Sequence, residues 1–170
     1  HVVSPEAQLP AEILSNAGFR TAGLFRNGWV DSSFGFDQGF QIYAKPHGRP
    51  PPASVFRENP TLKEVGTDVD AVDASIEFLR IFGKERWFLY LHLMDLHEYI
   101  YDEDSALFGT DYEGIYDNSI RRENLVLGRL FEALTREGYL ENTLIVLASD
   151  HGEAFNERGF EGHARYVYRE

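Results

Sequence analysis

Strand-length apolar runs that alternate with helical patterns constrain the fold of this chain more than any other feature. Residues 87–94 and residues 144–148 are nearly continuous apolar runs, which are typical of strands covered on both faces. In residues 67–82 and 116–137, apolar side chains recur at steps of three and four, as they do in amphipathic helices. This alternation predicts an α/β fold, a three-layer α/β/α sandwich with a mainly parallel sheet.

The N-terminal part of the chain predicts one further helix and one further strand. Pro10 opens a short helical pattern that Gly18 closes, and residues 21–25 have the composition of a strand. Residues 26–60 are rich in Gly, Pro and aromatic residues, with three prolines at 50–52. They predict a long structured loop or a linker.

Composition narrows the class of protein and of ligand. The chain has 170 residues, of which 43% are hydrophobic, enough for one domain with a buried core. Its 16 basic and 28 acidic residues give a net charge of −12, so we expect no nucleic-acid partner, and an anionic substrate must be held locally by a metal or by a few cations. The absence of cysteine excludes disulfides and thiolate metal sites. No apolar stretch is long enough to span a membrane, and the sequence indicates neither compartment nor oligomeric state.

An Asp-His pair follows the second apolar run. Asp150 and His151 lie where a parallel sheet places its ligands, beyond the carboxyl end of a strand. A carboxylate oxygen with an imidazole nitrogen suits Mn, Zn, Mg or Ca. An aspartate at a strand end also serves as a turn former or a helix cap, so the dipeptide alone leaves both interpretations open.

Two further histidines have positions from which they could reach the same edge. His97 lies on the loop after residues 87–94, and His163 follows Gly162. An imidazole there could contact an oxyanion or protonate a leaving group, because its charge is adjustable near neutral pH. For His163, an exposed loop position is the alternative. Asp95 could orient a histidine or cap the loop.

Three segments, taken in order, resemble the sulfatases and the wider alkaline phosphatase-like superfamily. They are "LPAEILSNAGFRTAGLFRNGWV", "RWFLYLHLMDLHEYIY" and, most specific, "YDNSIRRENLVLGRLFEALTREGYLENTLIVLASDHGEAF" with the later "GH". The resemblance spans most of the chain apart from the loops near 45–65 and 102–112. It implies that Asp150 and His151 are ligands of a catalytic divalent cation, Ca or Mg in a sulfatase, with Mn or Zn as further options. It also implies that His97 and His163 contact the transferring sulfate or phosphate group or its leaving oxygen.

The sequence departs from the family pattern in ways that shape the expectation. The sulfatase Cys-x-Pro-Ser-Arg motif, which carries the nucleophile, and an upstream Asp-Asp metal pair do not occur here. Leu96 stands where the family usually has Pro, and Asn124 where it often has Asp. We therefore expect residues 1–170 to be the central part of a single sulfatase-like catalytic domain, incomplete at both ends, lacking the N-terminal nucleophile region and inactive by itself.

The resemblance leaves three functions to separate. The leading expectation is a metal-dependent sulfuric ester hydrolase acting on a small-molecule or glycan ester. The alternatives are a phosphate or phosphonate ester hydrolase or phosphoethanolamine-type transferase of the same superfamily, and a non-catalytic module on this fold. The identity of the missing nucleophile would discriminate the first two.

Overall fold

A computed structural model describes residues 2–47, 66–157 and 159–163. The helices are α1 (Pro10–Asn16), α2 (Asp68–Phe82) and α3 (Tyr112–Arg136); the strands are β1 (Arg20–Leu24), β2 (Ile42–Ala44), β3 (Trp87–Leu91), β4 (Ala154–Phe155) and β5 (Glu161–Gly162). Short 3₁₀ turns cover Gly28–Val30, Ser32–Phe34 and Leu140–Asn142. No helix among the described residues combines the length and the apolar composition needed to cross a bilayer.

The central sheet is parallel, with strand order β2-β1-β3. Ala22 in the middle of β1 pairs with Ile42 on one side and Leu89 on the other. The predicted loop over residues 26–60 therefore contains a strand, β2, which its three-residue length concealed, whereas its prolines at 50–52 lie outside the described residues. The predicted α/β class with a parallel sheet is confirmed.

The main core lies between one face of this sheet and helices α2 and α3. Ala22, Phe78, Leu79 and Leu134 form a buried cluster. Their burial is the dominant stabilising term, worth roughly 1.5–3 kcal/mol for each large apolar side chain. The predicted helix at 67–82 is confirmed, since Val72 and Leu79 of its apolar stripe are buried and Thr67 is its N-cap residue.

A close turn at Gly39 contacts both β1 and helix α1. The Thr21 hydroxyl donates to the Gly39 carbonyl at 2.7 Å. Gly39 has φ +81°, and a Cβ there would lie 2.2 Å from the backbone nitrogen of Glu12 in α1. Only glycine fits this left-handed, crowded position.

Helix α3 exists as predicted, but its buried side differs in part from the predicted one. Of the apolar residues that predicted this helix, Leu134 is buried in the core, whereas Ile120 and Phe131 are 44% and 40% exposed. The buried side also includes Asn118, which accepts from two backbone N–H groups of the preceding loop at 2.8 and 2.9 Å, and Arg122, which binds Asp95. The buried side of this helix therefore combines polar residues with apolar ones such as Val126 and Leu134.

The predicted strand at residues 144–148 is wrong for the structure as described. This segment forms no strand, and Leu144, Val146 and Leu147 are 80–89% exposed. A strand needs a neighbour for its backbone N–H and C=O groups, and neither sheet of the described residues includes this segment. The apolar composition of this segment favours a strand, but composition does not determine whether a neighbouring strand is available to pair with it.

Candidate functional site

Three histidines from three separate segments converge at one place. The ring centroid of His163 lies 4.3 Å from that of His151 and 5.1 Å from that of His97. His97 comes from the loop after β3, His151 from the segment before β4, and His163 directly follows β5. The structure thus brings together three of the four predicted site residues. The fourth, Asp150, directly precedes His151 in the sequence. Their roles stay predictions.

A small antiparallel hairpin returns His163 to the site. Ala154 pairs with Gly162, and Phe155 pairs with Glu161. The same register places Glu153 opposite His163, and directly opposite residues in an antiparallel pair have neighbouring side chains. Gly162 has φ +93°, a left-handed conformation that a side chain would strain. The residue before His163 therefore sets the direction in which the chain leaves the hairpin.

Glu153 is a member of the site that the sequence interpretation missed. Its Oε2 lies 2.9 Å from Nδ1 of His163, and its side chain is only 6% exposed. The Tyr112 hydroxyl donates to the other oxygen at 3.1 Å, and the hydroxyls of Tyr99 and Tyr112 are 2.6 Å apart. The sequence did contain an indication of the hairpin, because Asn156 and Gly159 are residue types that favour turns. That hairpin places Glu153 beside His163.

The surroundings of His97 disfavour its protonation. Burial lowers the pKa of His97, and the nearby imidazoles of His163 and His151 lower it further. His97 is therefore held towards its neutral form at neutral pH. A neutral imidazole carries one N–H donor and one acceptor nitrogen, so it can hydrogen-bond to an ester or exchange a proton with it.

Asp150 and His151 present their donor atoms side by side. Oδ1 of Asp150 is 3.7 Å from Nε2 of His151, and the two side chains are 90% and 45% exposed. Nδ1 of His151 lies 2.8 Å from the Gly152 carbonyl, which can only accept, so Nδ1 carries the proton and Nε2 keeps its lone pair. These residues fit a divalent cation, since ligand–cation distances of about 2.0–2.6 Å allow one ion to contact both atoms.

A buried ionic network fixes the loop that carries His97. Asp95, for which two roles were open, does not orient a histidine: its carboxylate accepts from Nη1 of Arg26 at 2.6 Å and from Nη1 of Arg122. Asp68 at the start of α2 accepts from the backbone N–H of Met94 and Asp95 at 2.8 and 2.7 Å. The end of β3 is thereby attached to α2 and α3.

The same network contains three carboxylates in close proximity. Oxygens of Asp68, Asp95 and Glu123 lie within 4.8 Å of one another, a spacing that could hold a metal ion. Two guanidinium groups, those of Arg26 and Arg122, already supply positive charge there. Burial raises the pKa of Glu123 to about 9, and the charges of Asp68 and Asp95 act in the same direction. A proton on Glu123 therefore relieves the remaining repulsion, and we assign this cluster to structure.

Comparison with known proteins supplies the family. The model of the Sulfatase family matches residues 5–168, almost the whole chain. The chain belongs to the sulfatase family. This confirms the resemblance that the three sequence segments indicated, and it places the histidine cluster and Asp150 within the matched region.

One curated relative gives the scale of the match. The sulfatase-family chain is 27% identical to the steryl-sulfatase of Rattus norvegicus over 171 residues, which represent 95% of this chain and 29% of steryl-sulfatase. The chain thus spans less than a third of the length of that relative.

Solved structures show that the sulfatase-family chain has the alkaline phosphatase-like fold. An alkaline phosphatase superfamily protein from Vibrio parahaemolyticus matches with TM-score 0.56 at 16% identity, over 76% of this chain and 32% of the other. The lipoteichoic acid synthase LtaP of Listeria monocytogenes matches with TM-score 0.53 at 15% identity, over 75% and 32%. Ps i-CgsB, in complex with k-i-k-neocarrahexaose, matches with TM-score 0.55 at 15% identity, over 78% and 37%.

Proposed function

We propose that this chain forms part of the catalytic site of a metal-dependent sulfuric ester hydrolase that acts on a small-molecule or glycan sulfate ester. The observation that carries the proposal is the convergence of His97, His151 and His163 beside Asp150 in a sulfatase-family chain. Identity to steryl-sulfatase supports the sulfate ester. The saccharide bound to Ps i-CgsB keeps a glycan substrate within the proposal.

Asp150 and His151 would hold the divalent cation, with Oδ1 and Nε2 as the ligand atoms. Ca or Mg is the first expectation, with Mn or Zn as further options. When bound, the cation would act as a Lewis acid that stabilises negative charge on the ester oxygens. Because this pair supplies only two ligands, we propose that further ligands and the nucleophile come from polypeptide outside residues 1–170, so that these residues alone are inactive.

His97 and His163 would contact the sulfate group or its leaving oxygen. The net charge of −12 repels an anionic ester, so local N–H donors are needed to hold it. His97, held towards its neutral form, donates from one nitrogen without requiring a second positive charge in the cluster. Nδ1 of His163 is hydrogen-bonded to the carboxylate of Glu153, an arrangement suited to proton exchange.

A phosphate or phosphonate ester hydrolase, or a phosphoethanolamine-type transferase, is the second candidate. The structural match to a lipoteichoic acid synthase supports this second candidate, because that protein has the same fold. The residues described here suit either oxyanion. The two candidates are separated by the preferred ester.

The test compares aryl sulfate and aryl phosphate hydrolysis by the full-length protein. We expect a higher kcat/KM for the sulfate ester, abolished by EDTA and lowered at least about 100-fold in Asp150→Ala. Glu77→Gln, on the exposed surface of α2, is the matched control and should retain activity. A preference for the phosphate ester would favour the second candidate, and no hydrolysis of either ester would favour a non-catalytic module.

A further inference from the structure

The bond between Glu153 and His163 is built into the hairpin and shielded from water. Glu153 lies opposite His163 in the β4–β5 register, and its side chain is more buried than that of His163, 6% against 24% exposed. A carboxylate at this depth needs hydrogen-bond donors, because burying an ionised group without hydrogen bonds is strongly unfavourable. The acid is therefore an acceptor that the fold keeps in one place.

The donors around Glu153 have a defined direction. The Tyr112 hydroxyl gives its single proton to Oε1 of Glu153, so in the contact between the two tyrosines Tyr99 must be the donor. Burial and then its hydrogen bond to Tyr112 raise the pKa of Tyr99, which keeps this hydroxyl protonated. Oε1 of Glu153 thus accepts a hydrogen bond from Tyr112, and Oε2 accepts one from Nδ1 of His163.

The backbone of Tyr99 is held in an uncommon conformation to make this contact. Its φ is +53°, a left-handed value that strains a residue with a side chain. The turn is fixed by the bond from Tyr99 N–H to the Leu96 carbonyl at 3.2 Å and from Ile100 N–H to the Asp95 carbonyl at 2.9 Å. The Tyr99 ring then lies 5.5 Å from that of Tyr112.

We infer that Glu153, which accepts a hydrogen bond from Tyr112 of the Tyr99–Tyr112 hydroxyl pair, is a positioning residue that keeps the proton of neutral His163 on Nδ1 and leaves the lone pair on Nε2. The tautomer itself does not depend on the activity, while its catalytic use rests on the proposed function. The lone pair on Nε2 of His163 is then available to accept a hydrogen bond at the proposed site. The Nδ1 proton stays between His163 and Glu153, so the ring keeps its orientation.

The direct test is the tautomer of His163 in the full-length protein. Long-range ¹H–¹⁵N correlation with ¹⁵N-labelled histidine, at a pH where the imidazoles are neutral, distinguishes a proton on Nδ1 from one on Nε2. We expect the Nδ1–H form in the wild type and a mixed or Nε2–H form in Glu153→Gln, because the amide offers both a donor and an acceptor. Glu161→Gln, an exposed acid in the same hairpin, should leave the wild-type spectrum unchanged. An Nε2–H tautomer in the wild type, or an unchanged tautomer in Glu153→Gln, would overturn the inference.

Kinetics separate this inference from the proposed function. If the full-length protein hydrolyses sulfate esters, Glu153→Gln should lower kcat at least about 10-fold with little change in KM, and Tyr112→Phe should have a smaller effect in the same direction. A wild-type rate in a folded Glu153→Gln protein would contradict the positioning role and leave the sulfatase activity standing. An Nδ1–H tautomer in a protein that cleaves no sulfate ester would support the inference and contradict the proposed function instead.

Discussion

Asp68 accepts hydrogen bonds from the backbone N–H groups of Met94 and Asp95 and donates its own N–H to the Asp95 carboxylate at 3.0 Å. The first residue of α2 is in this way fastened to the segment that follows β3. His97 lies on that segment, so the position of a candidate catalytic side chain depends on a buried polar network at the helix start.

Removal of one member of this network should destabilise the protein strongly. Arg26 is fully buried and bonds to Asp68 and Asp95 at 2.9 and 2.6 Å. Arg26→Ala leaves their charge without this partner, and breaking a buried ion pair costs about 3–5 kcal/mol. The free energy of unfolding measured by denaturant titration checks this, with Arg80→Ala in an exposed pair as the control. Equal stability of the two variants would show that the network contributes little.

Glu123 should make stability fall as the pH rises. Its pKa is raised from 4.5 to about 9 in the folded protein, so between these values the folded state binds a proton that the unfolded state has released. This stabilisation is complete below pH 4.5 and is lost as the pH approaches 9. Asp68, with a pKa of about 6, adds a similar effect only at lower pH.

The variant Glu123→Gln isolates this contribution. The unfolding free energy of the variant minus that of the wild type should increase as the pH rises from about 6 to 9, because a neutral amide replaces an acid that must ionise. Glu132→Gln, at an exposed position of the same helix, is the control. A difference from the wild type that does not change with pH would contradict the assigned protonation.

Gly162 should be required for the position of His163 and not only for stability. Its φ of +93° makes Gly162→Ala cost roughly 1–2 kcal/mol of unfolding free energy. Gly138, with φ +73° after α3, gives a matched backbone cost at a distant place, because a Cβ at either position meets no atom closer than 3.6 Å. We expect both alanine variants to lose similar stability and only Gly162→Ala to alter the His163 resonances and ester hydrolysis. Wild-type His163 resonances in Gly162→Ala would show that the turn does not place this residue.

Local sequence patterns predicted an element well where the residues that determine it lie within or next to that element. The apolar spacing in residues 67–82 and the caps around it are local, so α2 was predicted to within one residue. The buried side of α3 was predicted only in part, because Arg122 turns inward for Asp95, a partner far away in the sequence. Residues 144–148 show the converse case, in which strand propensity was evident but pairing requires a neighbour that composition cannot specify.

The sequence named the histidines that the structure brings together, whose roles stay predictions, but not the contacts that surround them. His97 and His151 were indicated by their positions after apolar runs, although the second run forms no strand, and His163 was indicated by the glycine before it. Glu153 was missed because its role depends on the hairpin register, and registers are set by pairing and not by residue type.

Cation binding by the full-length protein tests the central claim most directly. Isothermal titration calorimetry with Ca²⁺ and with Mg²⁺ should show a site that Asp150→Ala and His151→Ala each weaken at least about 100-fold, because each removes one of the ligands proposed here. Asp104→Ala, which removes an exposed loop acid, should bind as the wild type does. Unchanged cation affinity in both Asp150→Ala and His151→Ala would contradict the metal site and with it the proposed hydrolase mechanism.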